Sequence, residues 1–260
     1  MVAFTLRSEF TKIRSIRSTY WSLFLLMLAA VAWCVAYCLA TVHQWPTMSA
    51  PDRAGFDPTQ DSVLGLALLG QLVIVVFGAL MITSEYTTGM IRTSLTVMPR
   101  RAVFYWSKLA VFAAVSLVLA LVSSFGTFFL GRILLAPTHV TMSLANPAVL
   151  RSVLVAALYV EVCGLFAYGV GALVRSTAGG LTVAYGVLAL LPQLLRALPA
   201  SLEHALVRWV PGGDALAVMT TTNGSNPPHM FSAWGELAVF AAYAAVLVLI
   251  GAAQFSRRDA

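Results

Sequence analysis

Glu161 stands alone among apolar residues in VAALYVEVCGLFAYGVG. A carboxylate in the middle of an apolar helix costs about 2.5–3.5 kcal/mol on insertion scales, so it faces protein or water rather than lipid. At helical spacing its neighbours are Ala157, Gly164 and Tyr168, a small and partly polar face suited to close packing or a water-filled path. Two readings stand. Glu161 and Tyr168 line a translocation path or a proton-linked site, or the carboxyl is protonated or hydrogen-bonded, for instance to the Tyr168 hydroxyl. The other reactive groups offer less. His43, His139, His204 and His229 all fall outside the apolar runs, and neither H-E-x-x-H nor G-x-S-x-G occurs, which argues against a stand-alone hydrolase. Cys34 and Cys38 lie one helical turn apart, but three thiols inside apolar runs make no disulfide framework and read as small apolar side chains. The two lysines, Lys12 and Lys108, follow LRSEFT and VFYWS, so neither belongs to a G-x-x-x-x-G-K-[ST] phosphate loop. Work done by this chain must draw on another polypeptide or on a gradient.

The elements that carry these residues are set by composition. Of 260 residues, 60% are hydrophobic and 10% charged, with a mean hydropathy of +0.86. Soluble domains hold about 25% charged residues, so this is an integral membrane protein. The net charge of +6 then reports topology rather than nucleic-acid binding. A helix crosses the bilayer core in about 20 residues, and six runs qualify: 20–40, 63–82, 109–130, 153–174, 180–198 and 235–253. An open sheet is excluded, because its edge groups would go unpaired in hydrocarbon. The expected fold is all-α with six spans and both termini on one side. That side carries eleven of the Lys and Arg residues against five on the other, which places it in the cytoplasm. A cleaved signal peptide is not expected, since nineteen residues precede a first run long enough to span.

Two basic stretches sit at that side. In residues 1–19, Leu6, Phe10 and Ile13 share one helical edge while Arg7, Lys12 and Arg14 lie mostly elsewhere, the pattern of an interfacial helix on anionic lipid. Residues 84–101, SEYTTGMIRTSLTVMPRR, place Ile91, Leu95 and Met98 on one edge. Thr83 or Ser84 could cap a helix start, with Glu85 in its first turn, and Pro99 stops it before Arg100 and Arg101. Physics alone leaves two readings here: a docking element that passes a push to two spans, or a solvated basic loop. On the other side, 41–61 is rich in Pro and Asp and is expected to be loop. Residues 199–233 form an external re-entrant or loop segment. Leu202, Leu206 and Trp209 would line the edge of a short helix over 198–210, and a second would run from Asp214 to Thr220.

These stretches carry a resemblance. LRSEFTKIRSIRSTYWSL is similar to the opening of many actinobacterial ABC-2 type ABC transporter permeases. Glu85, Gly89, Arg92, Pro99, Arg101 and Lys108 resemble the family's pattern after the second span, VRSTAGG (174–180) its turn between the fourth and fifth, and RWVPGGDAL (208–216) its segment before the last. The resemblance implies a coupling helix at 84–101 that docks a separate cytoplasmic ATPase through Glu85, Gly89, Ile91, Arg92, Leu95, Met98 and Arg101. It implies short membrane-dipping helices before the last span. It also implies two ATPase copies binding ATP and Mg, a second copy or a sister permease as partner, and export of a drug, antibiotic, peptide or lipid. A hydrophobic or amphipathic cargo fits spans with so little polar lining. A gradient-driven carrier using Glu161 and a non-transporting transmitter are the alternatives.

Overall fold

The computed structural model of the chain describes residues 17–87, 101–211, 219–221 and 232–257. The interfacial helix expected around Leu6, Phe10, Ile13 and Arg14 lies outside them, as do Asp214 to Val218. Hydrocarbon offers no partner to a peptide group, so each crossing must be a helix. Among the described residues there is no strand. The elements are α1 (Arg17–Gln44), α2 (Ala50–Gly55), α3 (Pro58–Gly65), α4 (Gln71–Thr87), α5 (Arg101–Leu134), α6 (Pro147–Val174), α7 (Thr177–Tyr185), α8 (Leu191–Arg196), α9 (Ala200–Leu206) and α10 (Ala233–Arg257). A π-helical stretch, Leu66–Gly70, joins α3 to α4, and another, Gly186–Leu190, joins α7 to α8. Among the described residues six helical stretches are therefore long and apolar enough to cross a membrane: α1, α3–α4, α5, α6, α7–α8 and α10.

The basal end gathers the start of α1, the end of α4, the start of α5, the α6–α7 turn and the end of α10. The distal end gathers the opposite tips. There, residues 41–61 are largely helical rather than loop. α1 continues to Gln44, and Ser49 and Asp57 cap α2 and α3 with their side-chain oxygens. Pro51 and Pro58 stand in first turns, where a missing N–H costs nothing. The prolines that suggested interruption are helix starts.

α6 is the hub. It packs against α10, α4, α5 and α7. Of its most apolar stretch 83% is buried in the protein, against 33% or less for α1, α5, α7–α8 and α10. Small residues allow this: Ala156, Ala157, Gly164, Ala167, Gly169 and Ala172 face neighbours, so backbones approach closely without hydrophobic drive. At Gly78 of α4 an added Cβ would meet the Gly164 carbonyl at 2.3 Å, and at Gly169 it would meet the α10 backbone at Val248 N at 2.9 Å. Neither neighbour can swing aside.

Gly78→Ala is therefore expected to destabilise the folded protein by about 1–3 kcal/mol, the usual cost of overpacking. Gly126→Ala on α5, where nothing lies within 4 Å, is the control that leaves the melting temperature unlowered. Thermal melts of the two variants in detergent check this.

Candidate functional site

At the basal end the stretch 88–100 leaves α4 and returns into α5. Tyr86 on α4 and Phe104 and Tyr105 on α5 flank it, and they meet Tyr168 of α6 and Phe255 of α10 in one aromatic cluster. Tyr105 is fully buried; its hydroxyl donates to the Val248 carbonyl (3.0 Å), and its carbonyl accepts from the Tyr168 hydroxyl (3.2 Å). Lys108 Nζ lies over the Phe104 ring and the Arg175 guanidinium over Tyr86, contacts that hold buried or half-buried cations by the ring quadrupole. Thr83 Oγ1 pairs with Thr177 Oγ1 at 2.9 Å, tying α4 to the first turn of α7. Four spans thus share one rigid knot at the place where the 88–100 stretch emerges.

Two of the seven residues expected to dock an ATPase fall within the described residues. Glu85 lies on α4, two residues from its end, and Arg101 is the first residue of α5. Gly89, Ile91, Arg92, Leu95 and Met98 lie outside the described residues. Thr83 and Ser84 do not start a helix. They are interior to α4, where the Thr83 hydroxyl donates to the Ala79 carbonyl four residues back. The apolar environment carries α4 past the residues that resemble a cap, because a continued helix keeps their carbonyls paired.

Glu161 and Tyr168 share α6 but not a site. Seven residues separate them, about 10 Å along the axis. The Tyr168 hydroxyl gives its proton to the Tyr105 carbonyl, so it does not donate to the carboxylate. Glu161 is 6% exposed, Ser116 of α5 faces it, and its Oε2 has no hydrogen-bond partner among the described residues.

At mid-depth lies a polar arrangement that sequence reasoning passed over. Gln71 follows the first π stretch and is 7% exposed. Its Oε1 accepts from the Tyr159 hydroxyl of α6 (3.2 Å), and its Nε2 donates to the Leu188 carbonyl in the second π stretch (3.5 Å). Returning across the same contact, the Tyr185 hydroxyl donates to the Leu72 carbonyl. The reason for the tie is covalent. The N–H that would serve Leu188 in an α-helix belongs to residue 192, which is proline and has none. Beside the tie, Trp21, Phe24 and Leu28 of α1, Leu72 and Val76 of α4 and Tyr185 of α7 line an apolar groove of about 700 Å³.

At the distal end, residues 219–221 are clasped between two spans. The Asp57 carboxylate accepts from Thr59 N (3.2 Å) and Gln60 N (3.0 Å) with one oxygen and from Thr221 N with the other. Arg151 Nη2 donates to the Thr220 carbonyl (2.7 Å) and the Ser152 hydroxyl to that of Met219. Met219 is fully buried. Beside the clasp, α9 and a 3-10 turn (Val207–Trp209) present Leu202, Leu206 and Trp209 on an exposed edge.

The family is decided by comparison over most of the length. Residues 5–194 match the family model of the ABC-2 family transporter proteins. The chain belongs to the ABC-2 family. It is thus an ABC transporter permease, the transmembrane component of such a system and not its ATPase. The permease matches no curated protein. The match takes in the mid-depth tie and the α4, α5 and α6 residues of the basal knot and stops two residues past Pro192, so the clasped segment and α10, with Phe255 of the knot, lie outside it.

Asp57→Ala removes a helix cap and the bond to Thr221 together, and is expected to cost the permease about 1–2 kcal/mol, as lost caps do. In a Met219→Cys background the same change should raise thiol reactivity several-fold toward a hydrophilic maleimide. Labelling rates before and after the Asp57 change measure it.

Proposed function

We propose that this permease is the membrane subunit of an ATP-driven exporter of a hydrophobic or amphipathic compound: a drug, antibiotic, peptide or lipid. The basal end faces the cytoplasm, in line with its excess of Lys and Arg. Permeases of this family typically work with an ATPase partner. Here two ATPase copies, holding ATP and Mg, dock on residues 84–101 of two permeases, a homodimer or a pair with a sister chain. Glu85 and Arg92 make the partner contacts, Arg101 adds charge at the end of the stretch, Gly89 allows a bend, and Ile91, Leu95 and Met98 seat the segment against the membrane. The N-terminal Leu6, Phe10, Ile13 and Arg14 rest on lipid.

The observation that carries this reading is the basal knot. Tyr86 and Phe104 flank the docking stretch and are packed with residues of α6 and α10, so a displacement there reaches four spans as one body. The apolar groove beside α1 supports an apolar cargo, because its walls offer almost no polar group. Glu161 supports a further element. An acidic oxygen without a partner in the most buried span suits a path that opens during transport. Family membership favours a partner ATPase over a gradient as the energy source, which supports this reading over the carrier. A transmitter that moves no cargo differs from the exporter only in lacking net flux.

Two experiments test the reading. Gentle solubilisation and pull-down should recover an active ATPase with the wild-type permease and lose at least nine-tenths of it with Glu85→Ala/Arg92→Ala. Recovery unchanged in the double variant removes the docking assignment. Separately, Glu161→Gln should lower cargo flux several-fold in vesicles while leaving the bound ATPase in place; full flux across pH 6–8 would show that Glu161 does not line the path.

A further inference from the structure

Span five has a proline as the fifth residue from its distal end and a side chain from span two completing it. In an α-helix the N–H of residue 192 would serve the Leu188 carbonyl, but Pro192 has none, and the local helix widens to π geometry, with Leu191 N–H reaching back five residues to Gly186. A bare carbonyl at this depth costs several kcal/mol. The Gln71 amide supplies the donor, and the Tyr159 hydroxyl, by bonding Gln71 Oε1, turns the amide so that its NH₂ faces Leu188. Span two is itself widened to π geometry in the five residues before Gln71. Two softened helices therefore face one another, cross-tied from Gln71 to Leu188 and from Tyr185 to Leu72.

We propose that Gln71 is the positioning residue of a hinge at mid-span, with Tyr159 as its orienting partner. While the amide holds Leu188, α8 keeps one direction relative to α7. When the amide lets go, the proline-weakened joint bends and α8 swings at the distal end, while α7 stays fixed by the Thr83–Thr177 pair at the basal end. Tyr185 and Leu72 both tie the hinge and line the apolar groove, so an apolar molecule entering the groove presses on the tie itself. The hinge serves the export cycle proposed above, but its displacement is readable without ATP or cargo.

The test uses the full-length permease with Cys34, Cys38 and Cys163 replaced by alanine and spin labels on two pairs of exposed positions. Leu194 and Ile133 report the distal halves of spans five and three, and Val183 and Trp106 report the basal halves. Singly labelled samples remove distances between copies. Gln71→Leu should broaden the distal distance and displace it by about 3 Å, the movement that a kink of about 20° gives over a segment of about 9 Å, with the basal distance unmoved. Pro192→Ala restores the missing N–H, so in that background the distal distance should be narrow and Gln71→Leu should change nothing. Tyr159→Phe, which removes only the orienting hydroxyl, carries the same comparison should Gln71→Leu not fold. A distal distance unmoved by either variant, with only the melting temperature lowered, reduces Gln71 to a packing role and overturns the hinge; so does an equal displacement in the Pro192→Ala background. Because the displacement is read without ATP, it supports the hinge even where the pull-down recovers no ATPase, a result that would count against the exporter reading alone.

Discussion

Inside a bilayer a peptide carbonyl that loses its helical N–H has no water to bond instead, and leaving it bare costs several kcal/mol. In span five that carbonyl is Leu188, because residue 192 is proline. Gln71 is polar in an otherwise apolar span because it must donate there. Tyr159 sits on the hub helix within reach of Gln71. The same rule explains the helices that outrun their apolar cores, since α4 to Thr87 and α5 from Arg101 keep their carbonyls paired until the chain is clear of hydrocarbon.

Packing sets an interlocked body apart from the helices laid against it. α6, α4, α5 and α10 interlock through small residues and the basal aromatic cluster. α1 and α7–α8 lie against that body with most of their surface outward. Between the two runs the apolar groove. At the distal tip, Asp57 and Arg151 hold the backbone of 220–221 from opposite sides without touching one another's charge, which fastens the segment by hydrogen bonds to peptide groups.

The spans were legible because about 20 apolar residues in a row leave one physical outcome. The family resemblance rested on charged and turn residues outside the hydrocarbon, where function constrains side chains more than burial does. Other features hid for definite reasons. Pro51 and Pro58 read as loop formers, yet each follows a Ser or Asp whose oxygen caps a helix, and the pair of residues was the readable sign. Thr83 and Ser84 resemble a cap but lie inside α4, since the sequence around them says nothing of how far α4 continues. Gln71 escaped because its partner is 117 residues away and is a backbone atom. Pro192 within an apolar run was the available clue: a proline there frees a backbone carbonyl that a side chain, a water or a change of helix geometry has to satisfy.

Only Arg175 and Ser176 separate α6 from α7, and Arg175 takes a left-handed conformation to close the turn, its N–H bonding the Gly171 carbonyl. So short a link leaves no length for the two spans to part company during synthesis. Span five is the least apolar of the six, with a mean hydropathy of 1.6, and carries a proline. It is held as the second arm of a hairpin whose first arm, span four, is the most buried of the described spans. The tight turn thus ties the place of the least apolar described span to that of the most buried one.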